Sequence, residues 1–314
     1  MAISVGQIAA VSYAEVLNES RTPENQWMEN AAMREMKRQG FIKSRSFGEN
    51  IQAVLDYRRN PNAGFLATSS QTLSLAKTEV ITAAEYDIAE LAVPVSWFKK
   101  DEVQNPSKNQ KVALTKSLLT NGFDTHDDYI EEALFASSST NGFHSFAVLI
   151  PTSGQGTVGG IAAADETWWR NPQDTYLDDG SDMEAVFTEV WNSAAKGTGS
   201  NLAPTMLVSG DSTQALFEST QQPQQRYVDT QELKAGFKVI AFKTARYSFS
   251  QYGGTKVYFL NPKSMNLLTS KEYFRDKGET KEMDDAAGYT FQIYSALQLV
   301  TNNKSRLAVV DEAA

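Results

Sequence analysis

The first 81 residues contain too little apolar sequence to form a core of their own, and this limits the fold more than any motif does. Residues 1–43 are polar and helix-prone, and residues 44–81 have strand-like stretches on either side of a turn-rich centre, Arg58–Gly64. A short amphipathic helix and an isolated polar hairpin are each marginal in water. Both segments therefore need a surface outside themselves on which to pack.

The composition excludes several classes of protein. A net charge of −9 argues against bulk electrostatic binding of nucleic acid, which needs clustered Lys and Arg, although local basic sites can still touch it. The absence of cysteine excludes disulfides and thiolate chemistry, and it fits assembly in a reducing cytoplasm. No apolar run reaches the length of a membrane span, and the N-terminus lacks a basic signal-peptide region, so we expect no membrane partner.

A long strand and a long helix are predicted in the middle of the chain. The strand covers Tyr86–Phe98, and the helix follows it with an apolar stripe that recurs every three or four residues. We expect His126, which lies on the stripe, to be partly buried. The acidic residues of HDDYIEE (126–132) lie mostly off the stripe and are expected to form a solvated face rather than a metal site. The stripe consists of Val112, Thr115, Leu119, Phe123, His126, Ile130 and Leu134.

The second half mixes helices and strands without a regular βαβ period, which favours an α+β fold. A strand is predicted at FAVLI (146–150), and a helix is predicted after a capping box of Ser181 and Glu184. TMLVSGDSTQALFEST (205–220) is typical of a strand, a tight turn and a short helix. The final residues, 289–312, are predicted to be two long strands around a turn at Asn302-Asn303.

A glycine-rich stretch matches a nucleotide-binding fingerprint but lacks its context. Gly154, Gly156 and Gly159 satisfy G-x-G-x-x-G, yet three residues separate them from the predicted strand. The sequence that follows, up to Pro172, is too short for the usual crossover helix. We interpret these glycines as a loop in which the backbone turns sharply at a crossing between domains.

Two other stretches resemble catalytic or phosphate-binding motifs and also lack essential residues. VSGDSTQ (208–214) resembles a hydrolase elbow, but Gln214 replaces the last glycine and both histidines precede the serine. N-capping of the following helix by Ser209 or Asp211 also explains why serine and aspartate occur in this stretch. GGTK (253–256) lacks the upstream glycine of a phosphate loop. The sequence therefore predicts no catalytic, cofactor or metal site, and it favours a structural role.

Residues 140–172, TNGFHSFAVLIPTSGQGTVGGIAAADETWWRNP, resemble a stretch of tailed-bacteriophage major capsid proteins. In that family a glycine-rich turn leads into Gly-Gly-Ile and then Trp-Trp-Arg-Asn, which are residues 159–161 and 168–171 here. Other stretches resemble the family in the same order, so the resemblance covers nearly the whole chain. They are 48–64 for its extended hairpin, 81–106 for the strand that leaves it, 111–137 for its spine helix and 297–310 for its closing strand pair.

The resemblance implies the Hong Kong 97-like capsid fold and a division of the chain into parts. The parts are an N-terminal arm (1–43), an extended β-hairpin loop (44–81), a peripheral domain (82–158) with its spine helix at about 108–136, an axial domain (159–268), and return strands that complete the peripheral domain (269–314). It also implies a structural subunit, not an enzyme, that assembles as pentamers and hexamers into an icosahedral head around double-stranded DNA.

Seven residues are candidates for roles in such a subunit. Arg58 and Arg59, at the turn of the extended loop, are expected to contact carboxylates of a neighbouring subunit, the alternative being two solvated arginines. The other five are expected to pack the junction between domains, because paired tryptophans bury a large area and an arginine stacks on them. They are Gly159, Gly160, Trp168, Trp169 and Arg170.

The resemblance implies further partners and a location. Besides copies of itself, we expect a separate scaffolding protein, because no long N-terminal prodomain is evident, together with a portal and, as a further candidate, a decoration protein. Packaged DNA is expected to be contacted only weakly, because a wall that gripped phosphate would resist the movement of DNA. The location implied is the virion capsid, assembled in the cytoplasm of the host bacterium. A nanocompartment shell of the encapsulin type and a Rossmann-type NAD-dependent oxidoreductase remain the alternatives.

Overall fold

A computed structural model of the chain describes residues 31–66, 72, 76–104, 108–196, 202–221 and 240–313. It contains both helices and sheets, which confirms the predicted α+β class. We name Ala31–Gln39 the arm helix and Lys108–Phe135 the long helix. The helices of the described residues are Ala31–Gln39, Lys99–Gln104, Lys108–Phe135, Phe146–Leu149, Met183–Ala195 and Asp211–Gln221, with single 3-10 turns at Thr167–Trp169 and Lys304–Arg306.

Sixteen strands lie in the described residues. They are β1 (Ile42–Arg45), β2 (Ile51–Asp56), β3 (Ile81–Tyr86), β4 (Ala89–Phe98), β5 (Thr157–Val158), β6 (Ile161–Ala162), β7 (Gln173–Tyr176), β8 (Met206–Ser209), β9 (Ile240–Phe242), β10 (Ala245–Phe249), β11 (Val257–Leu260), β12 (Met265–Ser270), β13 (Asp276–Lys277), β14 (Lys281–Glu282), β15 (Gly288–Thr301) and β16 (Ala308–Glu312).

The first sheet is built around β15, which has 14 residues. On one side β15 pairs antiparallel with β4 along all of β4. On the other side it pairs in turn with β12, β13 and β14, and β1 adds a parallel strand beside β12. The long helix lies on this sheet at Gly122, where an added Cβ would lie 2.8 Å from Cδ1 of Ile293. Helix and sheet thus form one layered unit, with Val95 and Phe291 in its core.

The second sheet has the strand order β7-β16-β11-β8-β10-β9. The helices Met183–Ala195 and Asp211–Gln221 cover one face, where Phe187 stacks on Phe217 at 5.2 Å between ring centroids. The opposite face, through Val208 and Leu260, belongs to the same core cluster as Met36 of the arm helix. The two sheets therefore share one continuous hydrophobic core.

The chain crosses from one sheet to the other near its end, which the sequence did not predict. β15 and β16 were expected to pair around Asn302-Asn303, and this prediction is wrong, because β16 pairs with β11 and β7 of the second sheet. β1 (Ile42–Arg45) joins the first sheet beside β12, and the division of the chain into arm, loop, peripheral domain and axial domain stays a prediction. Periodicity identifies a strand, but it does not identify its partner.

Two local predictions also fail. FAVLI forms the short helix Phe146–Leu149, in which the Ser145 hydroxyl accepts the N–H of Val148, because a buried apolar run this short fits either structure. The helix Met183–Ala195 has Asp182 at its N-cap instead of the predicted Ser181. The Asp182 carboxylate accepts the N–H of Leu177 and so closes the preceding turn.

The glycines of VSGDSTQ and GGTK meet each other in the structure. Gly210 donates its N–H to the carbonyl of Gly254 at 3.0 Å, and an added Cβ on Gly210 would lie 2.4 Å from the carbonyl oxygen of Gly253. The Ser209 hydroxyl donates to the Gly210 carbonyl and bonds the hydroxyl of Tyr247, so it does not cap the helix. The glycines of both motifs are explained by the close approach of two backbone segments, not by a catalytic or phosphate-binding role.

We expect Gly210→Ala to lower the free energy of unfolding by about 2–3 kcal/mol, because the new methyl group must displace backbone instead of a mobile side chain. Gly254→Ala is the matched control, since nothing lies within 4 Å of its added Cβ. Urea unfolding followed by tryptophan fluorescence measures both variants. Equal losses in the two variants would contradict this account of the turn.

Lys304 lies in the 3-10 turn that carries the chain from β15 to β16, and its side chain is fully buried. Its ammonium group has no hydrogen-bond partner among the described residues. Burial lowers the pKa of Lys304 to about 8, because the charged form loses its hydration. At neutral pH the Lys304 ammonium group is therefore a buried positive charge at the crossing between the sheets, and no described residue forms a hydrogen bond with it.

Lys304→Met is expected to stabilise the protein at pH 7 by up to about 3.5 kcal/mol, given a pKa lowered from 10.5 to about 8 and about 1.4 kcal/mol per pKa unit. Below about pH 8 both the folded and the unfolded chain keep the proton, so the cost of the buried charge is fully present. Between about 8 and 10.5 the folded chain releases the proton first, and the cost declines. Urea unfolding at both ends of this range tests the idea, and a gain independent of pH would refute it.

Candidate functional site

The extended hairpin, formed by β2 and β3, is a separate two-stranded sheet, and its inner face joins the main core through Leu55 and Ala84. Its strands pair from Ile51↔Tyr86 to Asp56↔Ile81. Beyond its base it exposes apolar side chains: Val54 is 72% exposed, Ile81 is 64% exposed, and Phe65 near the tip is fully exposed. A hairpin with so much uncovered apolar surface is a candidate for contact with another molecule.

Gly159 holds the base of the extended hairpin. Its carbonyl accepts the N–H of Glu85 at 3.1 Å, and its backbone has a φ of +59°. An added Cβ would lie 2.6 Å from Cβ of Ala84. Because the glycines lead into the short strands β5 and β6 and not into a helix, they do not form the phosphate cradle of an oxidoreductase. The glycine-rich loop instead lets the hairpin approach closely.

The two tryptophans lie beside this contact. Trp169 is buried and donates its indole N–H to the carbonyl of Val158 at 3.1 Å. Trp168 packs against Trp169 at 5.4 Å between ring centroids and against Tyr57 of the extended hairpin at 5.1 Å. The tryptophans therefore join the glycine-rich loop to the hairpin.

Arg170 supports the same loop in a different way from that expected. Its guanidinium donates to the carbonyls of Ala163 at 2.8 Å and Ala164 at 3.0 Å, and among the described residues it stacks on neither tryptophan. Gly160 has a φ of +79°, and nothing lies within 4 Å of its added Cβ. The structure places the five predicted junction residues in one loop beside the paired strands of the extended hairpin, and this loop contacts Ala84 through Gly159 and Tyr57 through Trp168. Their role as a junction between domains stays a prediction.

Arg58 and Arg59 lie on the extended hairpin just beyond its paired strands, and both are exposed. Arg58 donates to the carbonyl of Glu79 at 2.9 Å and lies 5.4 Å from the ring centroid of Tyr57. Arg59 makes no hydrogen bond or ion pair with the described part of the chain. Contact of either residue with a neighbouring subunit stays a prediction.

The acidic residues of HDDYIEE include a buried anchor for the arm helix, which the sequence analysis missed. Glu131 is fully buried, where its carboxylate accepts the N–H of Met33 at 3.0 Å and the hydroxyl of Ser250 at 2.6 Å. Burial raises the pKa of Glu131 above the ordinary carboxyl value, against the opposing effect of these hydrogen bonds. Glu131 thus caps the first turn of the arm helix from the side of the long helix.

The prediction of a solvated acidic face is wrong for two further residues. Asp128 accepts the hydroxyl of Tyr252 at 2.7 Å, and Asp127 pairs with Arg275. Burial raises the pKa of Asp127, but hydrogen bonds from His126 and Arg275 outweigh it, so the pKa lies below the ordinary value. One feature of the sequence could have predicted the contact of Glu131 with the arm helix. The polar arm needs a surface on which to pack, and the free backbone N–H groups at the start of its helix need hydrogen-bond acceptors.

A serine, a histidine and an aspartate lie in the order of a hydrolase triad. His126 Nε2 lies 2.8 Å from Oγ of Ser295, and Nδ1 lies 3.2 Å from Asp127. His126 and Ser295 are fully buried, and Ser295 Oγ also accepts the N–H of Arg275 at 2.8 Å. Because no substrate can reach a serine enclosed in this way, we interpret the arrangement as a network that ties the long helix to β15.

The described residues offer neither a metal site nor a membrane-spanning helix. In the described part of the chain, no three His, Asp or Glu side chains are placed to share a metal ion. Of the helices in residues 31–313 that the structure describes, none is both long and apolar enough to cross a membrane. The features that remain are the extended hairpin, its anchoring loop and the arm helix.

Comparison with solved structures identifies the fold. The chain is similar to a subunit of the cyanophage A-1(L) capsid, with a TM-score of 0.65 and 13% identity over 93% of this chain and 95% of the other. The capsid of the native GTA particle gives a TM-score of 0.61 and 9% identity over 98% and 99%. The SrpI encapsulin of Synechococcus elongatus PCC 7942 gives 0.60 and 11% over 97% and 94%.

These similarities cover almost the full length of each chain and confirm the expected Hong Kong 97-like capsid fold. Comparison of the sequence with protein-family models finds no match, and comparison with curated proteins finds none either. The shared property is therefore the fold, at a level of sequence identity that leaves the function to be argued.

We expect Gly159→Ala to destabilise the base of the extended hairpin by about 2 kcal/mol more than Gly160→Ala does. Both glycines have a positive φ, so the backbone strain of an alanine is common to the two variants, and only Gly159 also meets Ala84. Amide exchange at Glu85 reports the loss directly. Equal exchange rates in the two variants would show that the close approach is unimportant.

Proposed function

We propose that the chain is a structural subunit, the major capsid protein of a tailed bacteriophage, that assembles with copies of itself into an icosahedral head around double-stranded DNA. The observation that carries the proposal is the capsid fold over nearly the whole chain, combined with an extended hairpin that exposes its apolar side chains. In this proposal the subunits form pentamers and hexamers, and the protein has no catalytic activity.

The extended hairpin is the element best suited to bind a neighbouring subunit. Val54, Ile81 and Phe65 are exposed in the single chain, and covering apolar surface contributes roughly 25 cal/mol per Å². A subunit in a closed shell has several neighbours, so interfaces that are weak singly become stable together. Exposed apolar groups on a projecting hairpin therefore favour assembly over an isolated monomer.

Arg58 and Arg59 supply charge at the same end of the extended hairpin. Any neighbouring copy carries a net charge of −9, so its carboxylates outnumber its basic groups, 38 to 29. Arginine pairs with carboxylates in a two-pronged geometry that fixes orientation as well as distance. We assign these residues to contacts between subunits.

The junction residues serve this role indirectly. Gly159, Trp168 and Trp169 fix the base of the extended hairpin, so they set the direction in which its tip reaches a neighbour. Arg170 holds the loop that carries them. We assign these residues to positioning rather than to direct contact.

The proposal extends to partners and location. A separate scaffolding protein, a portal and a decoration protein are the proposed partners, and packaged DNA is contacted weakly. The proposed location is the virion capsid, assembled in the cytoplasm of the host bacterium. The similarity to the SrpI encapsulin supports a second candidate, a nanocompartment shell of the same fold.

Expression of the chain, alone and with a scaffolding protein encoded nearby, followed by electron microscopy, tests the proposal. Closed particles are expected, and persistent monomers under both conditions would overturn it. Genes for a portal and a packaging motor beside this one favour the phage capsid over the nanocompartment. Titration with NADH, followed by tryptophan quenching, tests the oxidoreductase alternative, for which we expect no signal.

Charge reversal of the arginine pair, Arg58→Glu with Arg59→Glu, is expected to lower the yield of closed particles about tenfold, because carboxylates of the neighbour would then face carboxylates. The double substitution to lysine is the matched control and should retain most of the yield. The melting temperature of the free subunit checks that the variant is folded, because charge reversal at Arg58 also removes its hydrogen bond to Glu79 and its contact with Tyr57. Normal particle yield and stability after charge reversal would remove these residues from the interface.

A further inference from the structure

A basic face stands out in this acidic protein. Residues 31–45 contain five basic residues and one acidic residue, a formal charge of +4, whereas the whole chain carries −9. All five basic side chains are exposed. They are Arg34, Lys37 and Arg38 on the arm helix and Lys43 and Arg45 on β1. We name this set the basic face.

The basic face is carried by two elements that are fixed to the core. The arm helix is held by Met33 and Met36, which are buried, and by the bond from the Met33 N–H to Glu131. Strand β1 is held by parallel pairing with β12, from Ile42↔Leu267 to Arg45↔Ser270. The charges therefore have fixed positions and do not belong to a free tail.

Within each of the two elements, the spacing groups the basic side chains on one side. On the arm helix the three basic residues are three and four positions apart, so they share one side. On β1, Lys43 and Arg45 are two positions apart and point to the same side of the strand, about 6.6 Å from each other.

The local acidic residue neutralises only part of this face. The Glu35 side chain is 9% exposed and bound by Arg38 and Gln39, and this pairing lowers the Glu35 pKa even though burial opposes it. Lys37, Lys43 and Arg45 make no ion pair with the described residues. At least three cations thus remain for an external anion.

A groove beside β1 has the chemistry of a phosphate contact. It has a volume of about 420 Å³ and contains no acidic residue among those that line it. Lys43, Arg45, Asn50, Asn266 and Asn302 are its main polar groups. Cationic and amide side chains are the usual donors to phosphate oxygens of DNA.

We propose that the basic face contacts the phosphates of double-stranded DNA and is therefore the inner face of the shell, an inference that rests on the proposed function. With +4 on residues 31–45 and −9 in total, the remaining residues carry −13 and repel DNA elsewhere. DNA is thus held at one place on each subunit and remains free to move past the wall. Carboxylates of a second copy are the competing partner for these cations.

Fluorescence anisotropy of a labelled duplex of about 30 base pairs, titrated with the purified full chain between about 50 and 200 mM salt, tests the contact. The test variant is Lys37→Glu with Lys43→Glu and Arg45→Glu. The matched control, Lys100→Glu with Lys116→Glu and Lys281→Glu, makes the same change in net charge at three exposed lysines outside the basic face. The melting temperature of each variant checks that it is folded.

We expect wild-type binding to weaken with salt with a logarithmic slope of about −3, corresponding to three phosphates per subunit. The test variant should bind at least about tenfold more weakly at low salt, with a slope near zero, and the control should change less than about threefold. No salt-dependent binding by the wild type, or equal weakening in both variants, would overturn the proposal.

Particle formation without DNA separates the remaining outcomes. If the wild type assembles and the test variant does not, the basic face contacts carboxylates of another copy, which overturns the DNA contact and leaves the capsid function intact. If both assemble and only the variant has lost DNA binding, the proposal is supported. If the wild type binds DNA through the basic face but never assembles, the capsid function fails and the DNA contact stands alone.

Discussion

The pairing of β15 with its neighbours is the interaction on which the rest of the fold depends. This strand of 14 residues pairs with β4 on one side and with β12, β13 and β14 on the other. One face of β15 packs against the long helix at Gly122. The C-terminal end of β15 leads through a buried turn into the second sheet. The inner face of the extended hairpin packs on this core through Leu55 and Ala84, whereas Val54 and Ile81 on its outer face are exposed.

The arm helix and the extended hairpin are attached to this core by specific contacts. Glu131 caps the arm helix, and Gly159 with Trp168 fixes the hairpin base. Beyond these attachments, the arm helix exposes basic side chains and the outer face of the hairpin exposes apolar side chains. A rigid core that presents two projecting, chemically different surfaces is the form expected of a subunit that is completed by its neighbours.

The sequence predicts what depends on local pattern and fails where the partner lies far away in the chain. The apolar stripe from Val112 to Leu134 predicted a long helix, which is observed at Lys108–Phe135, because a stripe of helical period is a local property. Glu131 is buried against the arm helix, in which Met33 lies 98 residues earlier in the chain. Local sequence pattern therefore predicted a solvent-exposed glutamate at this position. The pairing of β16 with β11 and the meeting of Gly210 with Gly253 likewise depend on tertiary contacts that periodicity does not encode.

The central claim is that the extended hairpin is covered only in an assembly. Amide hydrogen exchange of residues 51–66 and 76–86, measured in free subunits and in purified particles, tests it most directly. The account predicts that strand amides near the base, such as that of Glu85, are protected in both states, and that amides around Phe65 become protected only in particles. Equal exchange around Phe65 in the two states would contradict it.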